Sequence, residues 1–438
     1  MQNKNHFKIG LLLLIIFLQL IPTSSSALIK CEYDTITNNN FKSCINPNIQ
    51  EILKKINETL VFGFLKDLVD IGPRKTGTYG AQAAAEYIKD QFEKMQINSE
   101  FHNWESFGNK YNPNYFKCKN VIGTHYGIGE EKDEVIIFNA HYDTVANTVG
   151  ANDDGSGTAA VLAAAYVLSQ YDFKRTMKFV TFSGEEEGLL GSRAYADYLY
   201  RNDTDILVEF NADMIGRATT RESGHSLGLS ITEDAGWIAD IICNISNNYD
   251  YNFNIRRSGP MDRFASYGGS DYYHFILYGY ESISFWPGEW DPNMHKPTDD
   301  LSNINISYLV NMTRHIVGTM ATLGDKEIPV PRVSIANPKH GKIYFKDVLI
   351  KDFRLDKTIV INKILIRPDV IVGNTPIRKV EYYYDDILQH IDWEKPYMWW
   401  LNEISIRRHK VKLIAYDENG NSSTDEIRFF YLNILKNR

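Results

Sequence analysis

The middle of the chain carries small groups of histidines and carboxylates whose spacing suits metal chemistry. His141 and Asp143 lie two residues apart, so in extended chain they project to one side. A carboxylate beside a histidine can accept its second N–H and leave the other ring nitrogen free for a metal. Gly150-Ala-Asn-Asp-Asp-Gly-Ser-Gly157 follows, then Glu185-Glu186-Glu187, Asn211-Ala212-Asp213-Met214 and His295-Lys-Pro-Thr-Asp299. Singly, each group is ordinary: a histidine in a turn, a capping aspartate, an acidic triplet in a solvated loop.

The elements between these groups give them a common address. Apolar runs of strand length cover residues 134–140, 176–183, 205–213 and 281–286, and each group sits where one of them ends. Helical patterns alternate with these runs over 156–170, 189–200, 233–247, from about 270, and over 303–323. That order predicts an α/β fold with a mostly parallel central sheet and helices on both faces. In such sheets ligands collect at the carboxyl ends of the strands. Upstream, the pattern predicts helices over 48–71 and 81–95 and a strand over 115–126. After Glu327-Ile-Pro-Val-Pro-Arg332 only short alternating runs remain, separated by turns such as Asp417-Glu-Asn-Gly-Asn421, which predicts an all-β sandwich.

The order His-x-Asp, Gly-x-Asn-Asp-Asp-x-Ser-Gly, Glu-Glu-x-Gly-Leu-x-Gly-Ser, Asp-Met and His-x-x-x-Asp resembles the M28 family of two-zinc aminopeptidases, over roughly residues 50 to 325. The resemblance implies that His141, Asp153, Glu186, Asp213 and His295 are metal ligands. Asp153 would bridge two zinc ions, one completed by His141 and Asp213, the other by Glu186 and His295. Glu185 matches the general base, and Asp143 and Asp299 fall where residues supporting the ligands lie. The family also has a cis peptide after the bridging aspartate, here Asp153–Asp154. A charge count agrees with two metals: +4 from the ions meets −3 from Asp153, Asp213 and Glu186, so one further anion makes a neutral cluster that can be buried.

The chain departs from the family on the substrate side. Tyr272 stands where a His is common, Met294 where some relatives carry a Tyr, and Gly269 where some carry an Arg. Tyr272, Tyr273 and Arg263 are candidate substitutes. The last hundred residues resemble Ig-like modules more weakly, in Lys379-Val-Glu-Tyr-Tyr-Tyr384 and Ala415-Tyr-Asp-Glu-Asn-Gly-Asn421. Trp393, Tyr397, Trp399 and Trp400 would serve there either as a carbohydrate platform or as sandwich packing.

The 438 residues divide into a signal peptide over 1–27, a peptidase domain over 28–328 and an Ig-like sandwich over 329–438. Two lysines, the apolar run 9–21 and small polar residues up to Ala27 form the signal layout. The run is 13 residues, short of the roughly 20 a spanning helix needs, and no second run approaches it, so no transmembrane helix is expected after cleavage. Sequons at Asn57, Asn202, Asn244, Asn305, Asn311 and Asn421 agree with a secreted or surface location. Cys31 and Cys44 are expected to pair, with Cys118 and Cys243 as buried thiols. Residues 331–438 hold 19 Lys+Arg against 14 Asp+Glu, leaving +5, while the rest holds 28 against 41, leaving −13. That acidic surface argues against nucleic acid as a partner. Peptides with a free N-terminus are the expected substrates, with a surface or carbohydrate contact through the last domain. A one-zinc glutaminyl cyclase of similar fold, a carboxypeptidase of the same family and a non-catalytic ectodomain stay open as alternatives. The cyclase lacks the Asn-Asp-Asp-Gly-Ser-Gly run, and the complete ligand set with Glu185 stands against the ectodomain.

Overall fold

A computed structural model describes residues 29–30, 46–108, 113–259, 261, 269–352 and 357–434. The larger unit is built on nine strands. In chain order these are β1 (Ile29–Lys30), β2 (Asn98–Phe107), β3 (Tyr115–His125), β4 (Glu134–His141), β5 (Thr176–Phe182), β6 (Asp205–Ala212), β7 (Ser226–Ile231), β8 (Asn254–Ser258) and β9 (Ser282–Pro287). They lie in the order β1-β8-β7-β9-β6-β4-β5-β3-β2. The centre is parallel, with β4 beside β5 and β6, and β6 beside β9. Towards the edges β3 runs antiparallel to β5 and β2, and β7 antiparallel to β9.

Among the described residues eight α-helices cover this sheet: α1 (Pro47–Lys55), α2 (Glu58–Asp70), α3 (Tyr79–Lys94), α4 (Gly155–Leu168), α5 (Leu190–Arg201), α6 (Gly236–Asn248), α7 (Tyr272–Leu277) and α8 (Ile306–Asp325). The expected helix over 48–71 is two helices, because Asn57 caps the second through its side chain on the Leu60 N–H. Helix α4 is apolar all round and, apart from Tyr166, wholly buried. It sits in the main core with α2, α8 and the sheet. Strands β4, β5 and β6 read as continuous apolar runs because both their faces are covered.

The C-terminal unit is a β-sandwich. A sheet β10-β14-β17, made of Arg332–Asn337, Ile364–Ile371 and Trp399–Leu401, faces a seven-stranded sheet. The latter runs β12 (Val348–Asp352), β11 (Lys342–Phe345), β13 (Thr358–Ile361), β19 (Ser422–Asn433), β18 (Ser405–Asp417), β15 (Ile377–Tyr384), β16 (Ile387–Asp392). Their inner faces bury Ile335, Ile364, Ile366, Val411, Leu413 and Tyr431 in a separate core. Tyr397 and Trp399 pack with this core, whereas Trp393 and Trp400 are exposed under Arg378, Lys379 and Lys363, so the four aromatics do not form one platform.

No helix among the described residues is long and apolar enough to cross a membrane. The signal peptide and the Cys31–Cys44 pairing fall outside the described residues. Of the two cysteines expected as thiols, Cys118 is one, whereas Cys243 is in a disulfide.

Candidate metal centre

The strand ends converge as the spacing predicts. His141 closes β4, Asp213 follows β6, Glu185 and Glu186 follow β5, and His295 lies beyond β9. Asp153 sits in the turn before α4. Two three-residue clusters result: His141, Asp153 and Asp213, and Asp153, Glu186 and His295, each with ligand atoms within 4.8 Å of one another. His141 Nε2 lies 3.3 Å from Asp153 Oδ1 and 3.7 Å from Asp213 Oδ1. His295 Nε2 lies 3.2 Å from Asp153 Oδ2 and 3.1 Å from Glu186 Oε2. Asp153 therefore turns one carboxylate oxygen to each cluster.

The backbone is bent to make this possible. The Asp153–Asp154 peptide is cis. Leu189, Met214 and His295 all have left-handed backbones, with φ near +60°. Such conformations are uncommon for side chains of this bulk and gather where a site over-determines them.

A layer of supporting groups fixes the candidate ligands. His141 Nδ1 faces the backbone carbonyl of Asp143 at 3.1 Å, with the Asp143 carboxylate further off at 3.6 Å. That carboxylate accepts instead from Thr76 Oγ1 at 2.8 Å and from the Glu185 N–H at 3.3 Å, so it holds the Glu185 main chain as well as lying beside the histidine. Asp299 accepts from the N–H groups of Asn152 at 2.8 Å and Asp153 at 3.0 Å, holding Asp153 by its main chain. Asp154 accepts from the N–H groups of His141, Gly157 and Met214, joining three ligand-bearing segments. The buried Arg74 donates to the carbonyls of Tyr142, Val149 and Gly150, which frame the turn leading to Asp153. Nothing in the local sequence marks Arg74, Thr76 or Asp154 for these tasks.

Tyr272 opens α7 and packs edge-on against Trp286 at 6.3 Å, and Tyr273 packs edge-on against His274 at 5.4 Å. Met294 precedes His295 directly, its N–H on the Asp291 carbonyl. Arg263 lies outside the described residues.

The electrostatics are those of a place made for cations. Burial alone would lower the His141 imidazole, yet Asp143, Asp153 and Asp213 raise it well above its usual value. Hydrogen bonds donated to Asp153 and Glu186 lift His295 to about 10. Burial works against it, but the two histidines hold Asp153 below the carboxylate range. Glu185 is pushed well up by burial and by Asp213, Asp271 and Glu186, with His141 opposing. Oε1 of Glu186 is buried without a hydrogen-bond partner. An excess of converging carboxylate oxygens, one of them unpartnered, fits divalent metal. The His295 side chain is 47% exposed against 1% for His141, so the crevice opens on the His295 side.

The sheet thus gathers histidines and acids at its strand ends in two groups that could each hold a metal ion. Residues 120–320 match the model of peptidase family M28. It is 30% identical over 198 residues to Aminopeptidase YwaD of Bacillus subtilis, a stretch covering 43% of this chain and 40% of the relative. The chain spans about half the length of the curated relatives it matches. The fold is similar to that of BSAP, a zinc aminopeptidase from Bacillus subtilis, with a TM-score of 0.55 at 18% identity over 62% of this chain and 96% of that one. It is also similar to that of Porphyromonas gingivalis glutaminyl cyclase, with a TM-score of 0.52 at 18% identity over 61% and 99% of the two chains.

Proposed function

We propose that this protein is an exported metallo-aminopeptidase with two zinc ions, held by His141, Asp153 and Asp213 on one side and by Asp153, Glu186 and His295 on the other. The observation that carries the reading is the shared Asp153 carboxylate, whose two oxygens face the two clusters at 3.3 and 3.2 Å. A mix of imidazole and carboxylate donors suits zinc, and among similar proteins are a probable zinc metalloprotease of Pyrenophora tritici-repentis and the zinc aminopeptidase BSAP. Bound zinc would supply Lewis acidity, making a water acidic enough to lose its proton near neutral pH.

The chain's own groups do the rest. Glu185 accepts the proton of the attacking water and hands it to the leaving amine, a task its raised proton affinity suits. Asp143 holds the Glu185 main chain and backs His141, so the base and a ligand keep a fixed mutual position. Glu187 pairs with Lys75, while Glu186 belongs to the second cluster and Glu185 lies within electrostatic reach of His141, Asp213 and Glu186. The fold alone does not separate this reading from a glutaminyl cyclase, since both kinds of enzyme are its neighbours. The bridging Asp153 favours the two-ion peptidase. The N-terminal signal layout and the sequons support export, and the change of pattern near residue 328 supports a peptidase domain over 28–328 followed by an Ig-like module over 329–438.

A panel of aminoacyl-anilides, each with an N-acetylated control and each with and without chelator, tests the activity. Free anilides should be cleaved, acetylated ones should not, and chelator should abolish the reaction. Cleavage of N-blocked peptides from their C-terminus, or cyclisation of a glutaminyl peptide, would replace the proposal with a rival. Metal analysis should find two zinc ions per chain. Glu185→Gln should lower kcat by roughly 10²–10⁴-fold, the usual worth of a general base, while keeping both metals.

A further inference from the structure

The seven-stranded sheet of the sandwich has one face on the core and one on the outside. Val360, Tyr344, Phe429, Tyr431, Val411 and Leu413 point inward and are buried. Side chains alternate along a strand, so their neighbours point outward. On the outer face the register sets Val348 opposite Phe345, Phe345 opposite Ile361, Ile361 opposite Leu432, and Leu432 opposite Ile406. Five adjacent strands thus carry an unbroken apolar row, about 20 Å across at the usual strand spacing. The next row runs Ile343, Ile359, Phe430 and then Arg408. Ile406 is 64% exposed, Val348 60% and Phe345 43%.

Sandwich strands normally turn polar residues to solvent. A contiguous apolar face rimmed by charge marks an interaction site. The rim here is basic: Arg408 ends the second row, and Lys410 stands opposite Arg428 in the one after it. Asp386 and Glu426 partly neutralise Lys410. The segment 331–438 as a whole carries +5 against −13 for the rest of the chain. Two copies meeting through this face would bring cations against cations, which disfavours a symmetric dimer. Apolar tips beside guanidinium and ammonium groups match instead the boundary between acyl chains and anionic headgroups.

We propose that the outer face of this sheet docks the protein onto bilayers containing anionic phospholipid. The inference is independent of the activity proposed above. The test uses the full chain and sedimentation with phosphatidylcholine vesicles made with and without phosphatidylserine. Binding is expected to the anionic vesicles, weaker in high salt, and not to phosphatidylcholine alone. Ile406→Asp combined with Phe345→Asp should abolish it. Arg408→Glu should lower the partition coefficient by about fivefold or more, the worth of one cation near an anionic surface. Unchanged melting temperatures would show that the variants fold. No binding, equal binding to both vesicles, or anionic binding untouched by these variants would overturn the proposal. So would a dimer that forms without vesicles and is lost in the double variant, because the face would then belong to a protein partner.

Discussion

Asp154 accepts hydrogen bonds from the N–H groups of His141 at 3.2 Å, Gly157 at 2.9 Å and Met214 at 3.1 Å, and it is fully buried. Asp154→Ala would leave three buried amides without an acceptor, at roughly 1–3 kcal/mol each. We expect a loss of about 3 kcal/mol or more in urea melts, together with reduced zinc content. Glu209, inside β6, accepts from Asn139 and Ser282, and burial raises its carboxyl from 4.5 to about 8. Its protonated form is therefore favoured by folding. The associated stability is complete below about pH 4.5 and is lost as pH rises towards 8. Glu209→Gln should match the parent in melting temperature near pH 5 and exceed it near pH 8.5; equal temperatures at both would refute the assignment. The candidate ligands were legible in the sequence because the order of their motifs resembles that of a known family, and most of the groups sit where an apolar run ends. Arg74 was not, because its partners lie 68 and 75 residues away and their carbonyls have no sequence signature.

Helix α4 begins against the end of β6. A Cβ added to Gly157 would meet the Ala212 carbonyl oxygen at 2.1 Å and the Asp154 carboxylate at 2.6 Å. Gly157→Ala must therefore push the helix away from both, and activity should fall at least tenfold with about 2 kcal/mol of stability. Circular dichroism should still report a folded chain. Elements covered on both faces were easy to place, since burial makes them apolar end to end. Strands β2 and β8 were missed for the opposite reason. Of β2 only Trp104 is buried and of β8 only Ile255, so neither shows an apolar period. The break between α1 and α2 escaped because the apolar stripe runs on across Ile56, while the capping Asn57 supplies a stop that periodicity does not register.

The two units are joined by specific contacts. Arg332 of β10 donates to Asp205 at 2.5 Å and to the Ile206 carbonyl at 3.0 Å. Asp234 accepts from Ser423 Oγ at 2.9 Å and from the Thr424 N–H, and Tyr200 accepts the His340 N–H at 2.9 Å. Arg332→Ala should cost about 1–3 kcal/mol, read as a lower unfolding midpoint with the site's activity per folded molecule unchanged. The sequence showed where the pattern changes, but not this seam, because its donors and acceptors lie in loops and strand ends of unremarkable composition.

Asp205 opens β6 and Asp213 follows its close. The sandwich grips one end of that strand and the crevice of the candidate metal centre opens at the other, about 26 Å away for eight residues of extended chain. A molecule immobilised by its last domain would keep its mouth turned outward, so attachment to a bead or a cell should leave the proposed turnover of soluble peptides as fast as in free solution.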